Sequence, residues 1–334
     1  MTDRSAPVGL VLGSELPPEE LASAAASAER QGFSSLWLSE DYFFTGGIAG
    51  AGIALAATET MPVGLGVVSA MTRHPALLAM EIATLSRAYG GRVRPAVGLG
   101  VPAWLGQMGM SPSSPLSEVR GCVTALRALL AGEQLSDRHG SFAFDGVELT
   151  YPLDPVPPIA TGVIGPKMLE LSGEVADATV LSVLVGAEYV RWARERIAAG
   201  AERGGRDADA HRVTAFAIYH VDEDGAAARR SLRDTVAFYL AAGGENAITR
   251  QAGIAEPLTE MVQRGGVTTV AAEMPDEWIE TLTICGTPED CAAGIQRLLD
   301  AGADDVALFP IPSEFFERQT ALTAEAVLPA LTRS

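Results

Sequence analysis

Glu40 and Asp41 stand side by side at the end of an apolar run, Ser35-Leu36-Trp37-Leu38-Ser39. A carboxyl at such a strand end can hold or release a proton beside a bound substrate, or it can simply meet solvent or cap a helix. Three further apolar runs carry glycine at or near their ends: Gly64 and Gly66, Gly98 and Gly100, and Gly162 with Gly165. Glycine has no Cβ, so backbone at these points can approach a flat ligand on several sides. Each glycine alone is equally at home in a packed sheet or an ordinary strand-to-helix turn. Their recurrence at three strand ends is what argues for a ligand. Gly165-Pro166-Lys167 opens a helical segment, where unpaired N–H groups and one cation can receive an anion.

Other catalytic hardware is missing. There is no Ser-His-Asp signature, no HExxH and no Walker loop. His74, His139, His211 and His220 are scattered, and Cys122, Cys285 and Cys291 have no metal spacing, so no metal site is expected. An odd cysteine count without a framework fits a reducing cytoplasm.

With 334 residues, 48% hydrophobic and 20% charged, the chain has material for a sizeable core. A formal charge of −18 argues against nucleic acid or an anionic membrane as partner. The N-terminal apolar run is too short for a signal peptide or a membrane span, so the expected location is the cytoplasm.

Short buried strands are expected near 7–13, 35–39, 63–68, 94–100, 159–163, 178–183, 212–221 and 305–310, each followed by a helical segment. The third is the most informative. Val63-Gly64-Leu65-Gly66-Val67-Val68 is apolar without interruption, and two glycines inside a strand point to a bulge or to something pressed on the backbone. Pro75 then suits the first position of a helix. Eight strand–helix units predict an α/β fold, an eight-stranded parallel (β/α) TIM barrel spanning 1–334 as one domain. Insertions are expected after strands 4 and 7, at about 133–157 and 241–283, the first a small hairpin with an Asp145-Gly146 turn. A doubly wound sheet competes, but its Gly-rich fingerprint is missing from the first turn, Gly13 to Pro17.

In such a barrel, function sits on the loops after the strands. Those loops carry Ser14 and Glu15, Glu40 to Tyr42, Ser69 to His74, Gly100 to Trp104, Gly162 to Lys167, Ser182, His220 and Pro310 to Pro312. Trp37 reads as core, while Trp104 either lines the substrate or covers the barrel. Tyr42, Phe43 and Phe44 would make the mouth apolar and favour a bulky or lipophilic substrate.

The segment from Gly64 to Ala79, GLGVVSAMTRHPALLA, resembles the cofactor-binding third strand of the bacterial luciferase-like flavin and deazaflavin oxidoreductases. Trp37 to Asp41, Gly162 to Leu171 (GVIGPKMLEL) and Cys285 to Asp290 (CGTPED) agree in order along nearly the whole chain. The resemblance implies a barrel, often dimeric, that binds FMN or the deazaflavin coenzyme F-420 at its C-terminal mouth. It implies a cis peptide at Gly66-Val67, bulged under a tricyclic ring. Its cofactor-binding residues would be Gly66, Val67, Val68, Ser69, Gly98, Gly100, Gly162, Val163, Gly165, Pro166 and Lys167. The wording is similar to the deazaflavin branch that includes methylene-tetrahydromethanopterin reductase. There an acid and then a histidine often end the second strand; here Glu40 is followed by Asp41. An imidazole acid/base is therefore not expected, and Glu40 or Asp41 would be the catalytic carboxyl. The implied activity is hydride transfer between coenzyme F-420 and an organic substrate, with a separate reductase as a further partner. The alternatives are an FMN-dependent two-component monooxygenase and a barrel that binds ligands without catalysis.

Overall fold

The computed structural model describes residues 6–13 and 15–331, and Ser14 lies outside them. The barrel strands are β1 (Val8–Leu12), β2 (Leu36–Leu38), β3 (Val63–Ser69), β4 (Val93–Gly98), β5 (Ala160–Gly162), β6 (Ala178–Leu181), β7 (Arg212–Val221) and β8 (Asp305–Pro310). Each pairs in parallel with the next, and β8 pairs back to β1, so the eight strands close as expected.

Closure follows from strands that are buried on both faces. Along β2, Leu36 and Leu38 join the core beneath the surrounding helices, while Trp37 points inward. Inside the barrel Trp37 packs with Val11, Ala96, Ala160, Val180, Phe216 and Ala307. The Trp37 and Phe216 rings meet edge-on at 5.5 Å. Two large rings among small residues fill the interior, so the barrel is a packed core rather than a pore.

The structure refines several local expectations. The first insertion does contain a hairpin, Arg138–His139 with Phe142–Ala143, but its turn is at Gly140-Ser141. Asp145-Gly146 lies beyond it, before Val147, which bridges to Leu135. Gly140 has a φ of 63°, the left-handed value such a tight turn needs. The stretch 241–283, expected only as an insertion outside the strand–helix repeat, forms helices Ala247–Gln251, Ala255–Glu273 and Asp276–Leu282. The longest of them buries only Leu258 and Val270 and is kinked at Gly265-Gly266, so it has little apolar period to read. Ile284–Gly286 is a further strand, laid against the upper end of β7, whose lower end pairs with β6. The loop carrying Trp104 holds a short helix, Pro102–Gln107.

No helix among the described residues is long and apolar enough to cross a membrane.

Candidate functional site

The mouth is organised by β3. Its pairing with β4 is regular up to Leu65, shifts, and resumes at Val68. Within that bulge the Gly66-Val67 peptide is cis, as the family resemblance implied. The glycines around the bulge mostly make room for neighbouring side chains. A Cβ on Gly64 would run into the Trp37 ring, and one on Gly66 would lie 2.8 Å from Phe216 and 2.9 Å from Trp37. Opposite the bulge, a Cβ on Gly98 would lie 2.7 Å from Val67 Cγ2, and one on Gly162 2.5 Å from Val67 Cγ1. Half-buried Val67 is thereby seated between the ends of β4 and β5. Gly165 differs: a Cβ there would meet nothing within 4 Å, so its space is open.

Beside β3, the end of β2 carries Glu40. Both its oxygens are held by Arg73, Nη1 to Oε1 at 2.7 Å and Nη2 to Oε2 at 2.8 Å. The Gly47 N–H donates to Oε2 at 3.1 Å. The Glu40 side chain is 7% exposed and that of Arg73 27%. This hydrogen-bonded carboxylate raises the Arg73 guanidinium further above its ordinary value. Glu40 therefore anchors the loop after β3 to the end of β2.

Tyr42, expected to present an apolar face, is 9% exposed with its hydroxyl buried. That hydroxyl lies beside those of Ser69 and Thr72, yet neither it nor Thr72 Oγ1 completes a hydrogen bond. Burial raises the Tyr42 phenol above its usual range. Ser69 donates to the Leu99 carbonyl at 2.7 Å and accepts the Met71 N–H at 3.0 Å, tying the loops after β3 and β4 together. Gly100, with a φ of 97°, fits against Tyr42 and Ser69, where a Cβ would collide with both hydroxyls. Phe43 and Phe44 are the exposed pair, at 68% and 59%. Trp104 packs on the Tyr42 ring at 5.7 Å.

Asp41 is half-buried. Its charge and that of Glu15 reach Tyr239, on the helix Gly225–Gly243, whose phenol burial and these acids push up to about 12. This helix thus comes close to the ends of β1 and β2. Nothing in the sequence marked Tyr239, because the proximity is created by the course of the helix.

After β5, Val163 is buried, while Pro166 and Lys167 are exposed at the start of the helix Pro166–Val175. No side chain caps that helix, so the N–H groups that follow Pro166 in its first turn have no side-chain acceptor. The preceding loop is fixed by buried Tyr189, whose hydroxyl donates to the Ile164 carbonyl at 2.7 Å. The histidines lie elsewhere or are engaged. His74 Nδ1 accepts the Ala76 N–H at 3.2 Å as a helix cap, and its Nε2 faces the Ala143 carbonyl at 3.3 Å, pinning the first insertion. His220 Nδ1 meets the Ile311 carbonyl at 2.6 Å. No group of His, Cys, Asp and Glu among the described residues is arranged to hold a metal ion.

The mouth thus combines a bulged strand presenting Val67, buried hydroxyls without complete partners, an open Gly165 and an uncapped helix start beside Lys167. That set fits a flat ligand carrying a phosphoryl group.

Comparison with known proteins agrees with the fold. A family model described as luciferase-like monooxygenase matches residues 5–305. The chain is 31% identical to the 5,10-methylenetetrahydromethanopterin reductase of Methanolobus tindarius over 296 residues, 87% of this chain and 90% of that protein. It is 28% identical to the F-420-dependent glucose-6-phosphate dehydrogenase of Nakamurella multipartita, over 94% of this chain and 93% of that protein. Among solved structures, the coenzyme F-420-dependent tetrahydromethanopterin reductase of Methanopyrus kandleri superposes with a TM-score of 0.85 at 24% identity, covering 98% of this chain and 99% of that one.

Proposed function

The chain belongs to the luciferase-like monooxygenase family, and from that membership we propose that it transfers a hydride between coenzyme F-420 and an organic small molecule. The observation that carries this reading is the bulge in β3 between Leu65 and Val68, with Val67 seated between Gly98 and Gly162 at the mouth. Relatives named as a methylenetetrahydromethanopterin reductase and an F-420-dependent dehydrogenase support the deazaflavin over FMN.

When bound, the deazaflavin supplies or accepts the hydride. The chain's own residues do the rest. Half-buried Val67 presents the floor of the site, Val68 is fully buried in the core beneath it, and Gly100 brings the loop after β4 close to buried Ser69. Gly165, Pro166 and Lys167 receive a phosphoryl group through backbone N–H dipoles and one ammonium. Glu40 holds Arg73 and so fixes the loop after β3. Asp41 is the carboxyl assigned to hold or move the substrate proton. The same proposal includes a homodimer, checked by sedimentation, and a separate reductase that renews the reduced coenzyme.

The test is a titration of the purified chain with coenzyme F-420 and, separately, with FMN, followed by cofactor absorbance and fluorescence. Tight F-420 binding with weak FMN binding is expected. Tight FMN binding with no deazaflavin binding overturns the assignment in favour of the monooxygenase alternative.

A further inference from the structure

One large ring of the barrel interior stays open to the mouth. Val11, Trp37, Phe216 and Ala307 are buried there. Phe309 lies two residues beyond Ala307 on β8, so it shares the inward face. It packs on that cluster from the mouth end and remains part-exposed. Gly13, at the end of β1, makes room for it: a Cβ there would run into Phe309 Cε2 and lie 2.9 Å from Cζ. In the closed ring of strands β8 stands opposite β4. Val67 is seated between the ends of β4 and β5, so it and Phe309 lie on opposite sides of the mouth. Beside Phe309 a cleft opens between the loops after β1 and β8. Leu16, Ile311 and Phe316 line it, and exposed Glu15 and Ser313 border it towards solvent. The Ile311 wall is fixed, because its N–H donates to the Tyr219 carbonyl at 3.0 Å and its carbonyl accepts Gln319 Nε2 at 3.2 Å.

We propose that Phe309 is a specificity-determining residue: the substrate lays a hydrocarbon group against this ring and the cleft beside it, and the ring limits that group's length. The proposal rests on the reading above that the deazaflavin lies over Val67, which leaves the Phe309 side of the mouth to the substrate. An aromatic ring on the floor of a concave site keeps apolar surface in water until a ligand covers it. A hydrocarbon group covers it at no cost in unpaired polar atoms, because the inner cleft is walled by apolar side chains. The remainder of the substrate is free to be polar, since Glu15 and Ser313 stand at the outer edge. Gly13 is the second control on length. Any side chain at that position drives the far end of the Phe309 ring into the mouth.

The experiment first puts a thiol where the ring stands. Cys122, Cys285 and Cys291 are buried, and burial raises all three thiols, so the native chain offers little to a methanethiosulfonate reagent. Phe309→Cys is expected to react at least about 10-fold faster than wild type. Coenzyme F-420, whose affinity is read separately from its fluorescence, is expected to leave that thiol reactive. Straight-chain methyl ketones from butanone to decanone serve as probes, with and without the coenzyme. Their protection of the thiol should tighten about 3-fold for each added methylene. Thermal melting then follows the same series on chains that keep residue 309 large. Tightening should stop at a shorter ketone in wild type than in Phe309→Leu, and at a shorter one still in Gly13→Ala. An unreactive thiol, protection by the coenzyme alone, or ketone binding that is absent or independent of chain length overturns the proposal. So does one common length limit in wild type, Phe309→Leu and Gly13→Ala. Failure of coenzyme F-420 to bind counts against the deazaflavin reading alone, and the ketone series on the unloaded chain still decides on Phe309.

Discussion

Val67 occupies the space beside Gly162: a Cβ at position 162 would lie 2.5 Å from Val67 Cγ1, and one at position 98 would lie 2.7 Å from Cγ2. Gly162→Ala is therefore expected to destabilise the protein by about 1–3 kcal/mol through overpacking. It should also weaken coenzyme binding, because Val67 must shift. Val67→Ala in the same chain should restore most of the stability lost. Urea melts of the single and double variants give the coupling, and simple additivity would show that the two residues do not meet.

Glu40 and Arg73 form the second relationship to probe. Arg73→Met leaves a nearly buried carboxylate without its cation, and a loss of about 2–4 kcal/mol is expected, somewhat below a fully buried pair because Arg73 is partly exposed. Glu40→Gln should cost less, since the Gly47 N–H keeps an acceptor. Arg73→Lys should recover only part, because an ammonium cannot reproduce the two parallel bonds. Chemical denaturation ranks the three, and equal losses for all of them would refute the bidentate account.

His211 carries a pH prediction. It is buried at the end of a hydroxyl chain, Thr161 to Ser172 to Thr179 to His211, with the last link at 2.8 Å. Burial and, next, the charge of Arg194 depress its pKa from 6.5 to about 4. The unfolded chain therefore binds a proton that the folded chain refuses between these values. Stability is complete above about pH 6.5 and falls as the pH drops towards 4, by about 3 kcal/mol in all. His211→Gln should lower stability at neutral pH but flatten that slope. A wild-type profile level across this window would contradict the assignment.

Asp41→Asn is expected to lower turnover by about 100-fold or more, with coenzyme affinity nearly unchanged, as removal of a proton-transfer group does. Stopped-flow absorbance of the loaded enzyme separates the two quantities. A variant that turns over at the wild-type rate would move the proton to another residue.

Lys167→Met is expected to weaken coenzyme binding about 10-fold, equivalent to roughly 1.4 kcal/mol. The effect should shrink as salt is raised, because the ammonium is exposed and screened. Affinity measured at two ionic strengths is the check, and a salt-independent loss would point to damage in the helix rather than to a missing charge.

The barrel was legible in the sequence because its signals are local. Each strand is a short apolar run, and helices such as Pro75–Ala88 and Pro115–Leu130 show an apolar stripe within a few turns. The bulge at Gly66-Val67 was legible for the same reason, since two glycines within one strand break a local rule. Helix Ala255–Glu273 and strand Ile284–Gly286 were not, one burying too few side chains and the other too short to show a period.

The mouth depended on contacts between distant parts of the chain. Glu40 stood out as a strand-end acid, but only the packing of β2 beside β3 brings Arg73 to both its oxygens. Tyr42 read as one of three aromatic residues, and burial of its hydroxyl beside Ser69 and Thr72 sets it apart from Phe43 and Phe44. Gly98 and Gly162 read as openings for a ligand, whereas the closed barrel fills the adjoining space with Val67. Secondary structure follows from the backbone's own preferences and the spacing of apolar residues, which are written in the neighbouring sequence. Which side chains meet at a strand end is set by register and closure across the sheet, and no run of adjacent residues encodes it.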